Sequence, residues 1–420
     1  MQADTFRRFG IFGGGVFFAI TGMAAPFFTL YASEIGASTL AIGLIVTSRA
    51  LLPIIIAMPT GQLIDSIGPM KMLQCGAVFM LLSLLNTIFA TSVPMLAISQ
   101  LFMGACIIIM ATALQVLVST GDRDTRNRAI TTYSMWMSGG GMLGPLIGGL
   151  IASCFDVPAE GYRSTFIAAA IATVTFMLLL AWLSRRYPHP VPGEGEVRSI
   201  LSLRGVTASY RQGIDLTAHR PVQFGLVGTF IIMYIQALYS GFLPVYLAQF
   251  GYSAFHIAAL LSWQGLAGML SRFVIKGLMR RFSLERILTA AGLVAAFSVV
   301  LTPVAAPNAV LTYLLMFVLG AAAGVNLPVS MMIMVDAVGE SQHGKLMGLR
   351  LLVNRFSQTI SPALFGVLGS FVGLTTAFLA GGAVLVATMF GFSAYASHTL
   401  RVSAANAANH PHRQQPPKED

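Results

Sequence analysis

At 420 residues, with 56% hydrophobic and 10% charged side chains and a mean hydropathy of +0.77, the chain is far too poor in charge for a soluble fold; such folds usually carry about 25%. The net charge of +10 does not signal nucleic acid, because no zinc-ligand pattern, aromatic RNA-binding motif or basic helix with heptads accompanies it. Cys75, Cys106 and Cys154 lie within or at the ends of apolar runs and offer neither a disulfide framework nor metal-ligand spacing.

A helix crosses a bilayer with roughly 20 apolar residues. Runs of that kind fall at 9–31, 40–62, 71–91, 94–118, 130–152 and 164–184, then at 223–247, 255–276, 286–304, 309–334, 345–369 and 372–395. They predict an all-α membrane protein of twelve transmembrane helices. The first run follows Arg7-Arg8 but is too long for a signal peptide's apolar core, so it reads as a retained helix. The domains expected are a six-helix bundle over 1–184, a linker over 185–222, a second bundle over 223–397 and a polar tail over 398–420. The linker holds Pro188, Pro190, Pro192, Gly193, Gly195 and six arginines. It reads as solvated, with an amphipathic helix over Ser199 to Gln212 on anionic lipid as the alternative.

Basic residues fall in alternate connections: Arg7, Arg8, Lys71, Arg123, Arg126, Arg128, the linker arginines, Lys276, Arg280, Arg281, Arg286, Lys345 and the tail share one side, against Arg163 alone on the other. The positive-inside rule then puts both termini in the cytoplasm.

The halves are also copies. Tyr31…Gly36…Ser38 matches Tyr246…Gly251…Ser253 at an offset of 215, Gly104 matches Gly320 at 216, and Arg128…Pro145…Gly149 matches Lys345…Pro362…Gly366 at 217. Six is even, so both halves enter from the same side and the repeat is parallel, with a pseudo-twofold axis along the membrane normal. In the fifth helix Gly140, Gly144 and Gly148 recur every fourth residue beside Pro145 and Gly149. Such a stripe lets a second helix come close in lipid, and a proline favours a bend. The stretch therefore reads as a moving joint.

The connection after helix two, Gly61-Gln-Leu63-Ile-Asp65-Ser-Ile-Gly68-Pro69-Met-Lys71, resembles the signature loop G-x-L-x-D-x-x-G-R-[KR] of the major facilitator superfamily, with Pro69 where the first basic residue is usual. The resemblance covers nearly all of 5–395. It implies the twelve-helix major facilitator fold in two parallel six-helix repeats, and a gating role for Gly61, Asp65, Gly68 and Lys71 in latching the cytoplasmic side. Gly140-x-x-x-Gly144-Pro145-x-x-Gly148-Gly149 is similar to the fifth-helix motif of that family's antiporters, chiefly drug and metabolite exporters. Gln100 stands where many proton-driven exporters of the family carry an arginine in helix four.

All 15 acidic residues lie at or beyond helix ends, leaving Glu34 and Asp336 as proton-coupling candidates at the two mouths. The mid-membrane charges are instead Arg49, about 18 Å above Gly61 in helix two, and Arg355, about 15 Å past Lys345 in helix eleven, at 1.5 Å per residue. An intramembrane arginine faces a cavity or a partner. As a pair they suit an anionic or carboxylate-bearing substrate through fork-like donors; otherwise they bond carbonyls freed near Pro53 and Pro362. Arg350 and Arg272, close to basic helix ends, are expected to snorkel. Gln115, Trp136, Gln236, Gln264, Asn326 and Gln358 complete the candidate substrate-binding set, with Tyr133, Tyr239, Ser240 and Trp263 beside them.

No H-E-x-x-H, Walker loop or G-x-S-x-G is present, so neither an enzyme nor a cofactor is expected and the energy must come from a gradient. The expectation is a monomeric secondary transporter of the cell inner membrane, exporting a small organic molecule against protons by alternating access. Import or exchange of an organic anion is the alternative, and a non-transporting receptor on the same scaffold the reading from another class. The expected partners are substrate, membrane lipid and a proton gradient, with no nucleic acid and no metal.

Overall fold

The structure, a computed structural model, describes residues 2–119, 123–186, 215–338 and 342–409. Most of the linker, including 199–212, and the tail beyond 409 lie outside the described residues. In chain order the helices are α1 (Gln2–Glu34), α2 (Thr39–Ile67), α3 (Pro69–Ile88), α4 (Val93–Val118), α5 (Arg123–Ala152) and α6 (Pro158–Arg186). After a short 3-10 turn at Asp215–Ala218 come α7 (Arg220–Ala248), α8 (Ala254–Met279), α9 (Leu284–Ala305) and α10 (Ala309–Val335). The last helical stretch, His343–Asn409, is broken only at Gly373, whose φ of 79° and ψ of 159° are not helical. Gly373 turns the chain back and divides the stretch into α11 (343–372) and α12 (374–409). Twelve helices and no strand are present among the described residues.

The internal repeat governs the local chemistry of both halves. Gly36 and Gly251 each take a positive φ, 83° and 79°. Two residues later Ser38 and Ser253 cap α2 and α8, accepting from the Ala41 and His256 amides; a serine hydroxyl there satisfies one orphan donor of the first turn. A side chain at Gly104 would strike the Arg49 carbonyl, and one at Gly320 the Gln264 carbonyl, so α4 lies on α2 as α10 lies on α8.

The halves meet along α2 and α11, α5 and α8, and α1 and α7. The Thr47 hydroxyl donates to the Thr359 carbonyl at 3.1 Å, and the Ser262 hydroxyl to the Met142 carbonyl at 2.7 Å. Thr47 matches Ser262 at the 215 offset, and Met142 matches Thr359 at 217, so the two bonds are pseudo-symmetry mates. Gly43 against Gly366 likewise mirrors Ala258 against Gly149. All of these contacts lie on the side away from the termini. Towards the termini, a Cβ at Gly61, Gly139, Gly265 or Gly277 would meet nothing within 4 Å. The molecule is closed on the far side and open on the terminal side.

The glycine stripe of α5 faces α1: methyl groups at Gly140, Gly144 and Gly148 would collide with backbone at Gly15, Ala19 and Met23. Its close contact is therefore inside the first bundle, and Gly149, on another face, touches the opposite half. α5 runs as one helix through Pro145. Between α2 and α3 a single residue, Gly68 (φ 93°), makes the connection, and Pro69 opens α3. Proline is pre-shaped for the first helical position, where no backbone donor is needed, which accounts for its place in the loop motif.

One expectation is corrected. Arg350 does not snorkel. Its guanidinium turns onto α10, donating to the Leu327 carbonyl at 2.9 Å and to the Met331 sulfur at 2.9 Å. The Leu327 carbonyl also accepts from the Ser330 hydroxyl at 2.9 Å, so side-chain donors of α10 and α11 converge on it.

Candidate functional site

A cavity of about 290 Å³ opens between the halves, lined by Ala25 of α1, Val46, Arg49 and Ala50 of α2, Gly104 and Ile107 of α4, Gln236, Ala237 and Ser240 of α7, and Arg355 and Gln358 of α11. Arg49 lies ten residues into α2 and Arg355 about 12 residues into α11, roughly 15 Å and 18 Å along their axes. Two guanidinium groups thus reach one space from opposite halves. Gly104 allows it: with no side chain there, α4 settles against the Arg49 carbonyl and brings α2 inward.

The Arg355 Nη1 donates to the Gln358 side-chain oxygen at 2.8 Å, one turn further along α11, and Gln358 Nε2 reaches the Met233 sulfur at 3.4 Å. The Arg355 Nε is buried without a partner. Among the described residues, salt bridges join only Asp4 to Arg7 and Arg8, so neither cavity arginine has a carboxylate counterion. Each charge at mid-membrane costs roughly 3 kcal/mol on insertion scales. A bound anion returns that cost through charge-assisted, fork-like hydrogen bonds.

Of the residues singled out from sequence, the cavity gathers Arg49, Arg355, Gln236 and Gln358, with Ser240. The others stand apart. Trp136 lies edge-on to Phe12, ring centres 5.5 Å apart, in a separate void of about 410 Å³ between α1 and α5. Gln115 is exposed near the terminal-side end of α4. Gln264, the repeat mate of Arg49, lies on α8 beside Gly320. Asn326 is fully buried in α10, both amide atoms unpartnered. Tyr239 turns away from the cavity, bonding the Ser298 carbonyl at 3.0 Å and Thr302 at 2.6 Å.

The gating and proton candidates also take definite places. Gly61 faces open space and Lys71 is exposed at the start of α3; the Asp65 side chain lies outside the described residues. Glu34 ends α1 on the far side and Asp336 caps α10 on the terminal side, both exposed and neither in the cavity. Sequence reasoning missed Thr47, Ser262 and Met233. The repeat offset pairs the first two, but only the fold shows what their hydroxyls touch.

Comparison with known proteins agrees with this architecture. The chain is 24% identical to the MFS-type transporter YuxJ of Bacillus subtilis over 376 residues, covering 86% of this chain and 90% of that one. It is 25% identical to the multi-drug resistance efflux pump PmrA homolog of Lactococcus lactis over 316 residues, 73% of this chain and 74% of that one. With an MFS-type transporter of Methanocaldococcus jannaschii, 27% identical over 159 residues, the match spans 38% of this chain and only 41% of the relative. Among solved structures, a bacterial homolog of the human lysosomal transporter Spinster, inward-facing and unoccupied, superposes with a TM-score of 0.75 at 15% identity, covering 94% of this chain and 97% of that one. The family model described as Major Facilitator Superfamily matches residues 10–315 and 225–418. With two six-helix halves closing around a charged cavity, this chain is a membrane transporter of the major facilitator superfamily.

Proposed function

We propose that the protein exports a small organic anion across the bacterial inner membrane by alternating access, as a secondary transporter. The observation that carries this reading is the pair Arg49 and Arg355, from opposite halves, facing one cavity without a carboxylate. An anion bridging them would join the halves and compensate both charges, which is what a site at a rocking interface requires. The antiporter-like glycine stripe supports export, as do the efflux names of relatives at 25% and 28% identity. The basic connections support cytoplasmic termini, in which case the open side faces the cytoplasm and the cavity loads from there. One chain contains every lining residue, so a monomer suffices.

Proton coupling, the energy source expected for such exporters, would fall to Glu34 and Asp336 at the two mouths. The cavity lining itself holds arginine, glutamine and serine but no titratable acid. That observation favours a second reading, exchange of one organic anion for another, which serves import as well as export.

The test is flux in reconstituted vesicles across a panel of carboxylates, phosphate esters and neutral analogues, with and without a pH gradient. Anion flux lost in Arg49→Ala and Arg355→Ala supports the site. Equal handling of neutral and anionic compounds by the double variant and the parent rejects it. Binding without any flux would make the protein a receptor.

A further inference from the structure

A second feature lies on the outside of the C-terminal half, away from the arginine cavity. α8 and α9 both pack on α10 but scarcely on each other. The slot between them has a volume of about 760 Å³, and its floor is made of Ala321, Ala322 and Val325 of α10. The small side chains of α10, with Ala290 and Ala291 on the α9 wall, give the slot its depth. Ser271, the polar residue on the α8 wall, spends its hydroxyl on the Gly268 carbonyl at 2.9 Å. The lining is therefore apolar in practice.

A further void of about 400 Å³ continues between α9 and α10 and shares Val294 and Val318 with the first. Together they form one furrow from Arg286 to Ala305 along α9, about 28 Å at 1.5 Å per residue. The slot that holds the charged end, from Arg286 to Val294 along α9, covers about 12 Å of this, close to the roughly 15 Å that one leaflet contributes to a hydrocarbon layer of about 30 Å.

One end of the furrow is charged. Arg286 lines it, and Lys276, Arg280 and Arg281 are exposed at the same end of α8. The only acid within this 276–286 stretch is Glu285, and no salt bridge occupies these bases among the described residues.

We infer that the furrow is a binding site for an anionic phospholipid of the leaflet on the terminal side, its acyl chain between α8 and α9 and its phosphate on Arg286. An empty apolar furrow forfeits dispersion contacts along its whole length, and water does not fill an apolar void. The basic cluster selects the headgroup, since each basic residue near the surface contributes about 1 kcal/mol towards anionic lipid, roughly fivefold in affinity.

The experiment uses the full-length protein, delipidated in detergent and reloaded with phosphatidylglycerol or phosphatidylcholine, with retained lipid counted by native mass spectrometry. The parent protein retains phosphatidylglycerol in preference to phosphatidylcholine, and Arg286→Gln lowers that preference about fivefold. Ala290→Phe, at an exposed position on the slot wall, lowers retention of both lipids while Arg286 remains. Equal retention of the two lipids by the parent overturns the proposal. So does an unchanged preference in Arg286→Gln, or equal competition by glycerol phosphate, which would make this a headgroup site without a chain. Dimerisation of the parent that Ala290→Phe abolishes would give the furrow to a second copy and also overturn it. If Ala290→Phe fails to fold, the Arg286→Gln comparison decides alone.

Discussion

In the proposed function transport turns on Arg49 and Arg355, because neither guanidinium has a carboxylate partner among the described residues and a bound anion would supply one. Removing a hydrogen-bonded charge partner at a buried interface typically costs about 2–5 kcal/mol, thirtyfold or more in affinity. Arg49→Ala and Arg355→Ala should each weaken binding of the anionic substrate by at least that factor, read by thermal stabilisation of purified protein against a metabolite panel. Arg355→Lys keeps charge but loses the planar fork and the geometry of the Gln358 bond. Its affinity should fall between those of parent and alanine variant. Affinity equal to the parent's in Arg355→Lys would show that charge alone, without fork geometry, suffices.

At the scale of the helix, glycines of the same run differ sharply in what surrounds them. Gly144 meets the α1 backbone, whereas Gly139 and Gly141 meet nothing within 4 Å. Gly141→Ala should raise the melting temperature slightly, since alanine is favoured over glycine in a helix by about 1 kcal/mol. Gly144→Ala should lower it, overpacking costing typically 1–3 kcal/mol. A differential scan of the two variants in one detergent checks the pair, and equal behaviour would contradict the α1–α5 contact. Gly373 makes a different demand. A φ of 79° with ψ of 159° falls in a region that is essentially glycine's own, at about 1–3 kcal/mol for other residues. Gly373→Ala should therefore destabilise the α11–α12 turn and lower the melting temperature.

The whole molecule is closed on the far side by two mated hydrogen bonds and two mated close contacts. Each hydrogen bond is worth about 0.5–1.5 kcal/mol. Thr47→Val with Ser262→Ala should thus shift the balance between the two openings about fivefold or more. Spin labels at Glu34 and Phe371, on opposite halves at the far end, would report this as a longer distance component. An unaltered distribution would mean that the glycine contacts alone hold that side shut. Energetics can be read at the same scale. A single negative charge moving through 100 mV exchanges about 2.3 kcal/mol, close to a fiftyfold concentration ratio. Export of the anion alone from vesicles held inside-negative should approach that ratio and proton-coupled export should exceed it, whereas one-for-one exchange of equal charges would be indifferent to the potential.

The sequence by itself determined the membrane class, the twelve spans and the doubling of the chain, because hydropathy over about 20 residues and a fixed repeat offset are local and periodic signals. It also brought forward Arg49 and Arg355, since a charge in mid-span is costly wherever the helix lies. The tertiary structure alone decided which polar residues share a space. Gln236 and Gln358 join the arginines while Gln264, Asn326 and Trp136 do not, a matter of helix rotation that spacing within one helix leaves open. It also gave the glycine stripe its partner, α1, and turned Arg350 onto α10, because a bare face or a buried carbonyl acts on whichever helix packing brings against it.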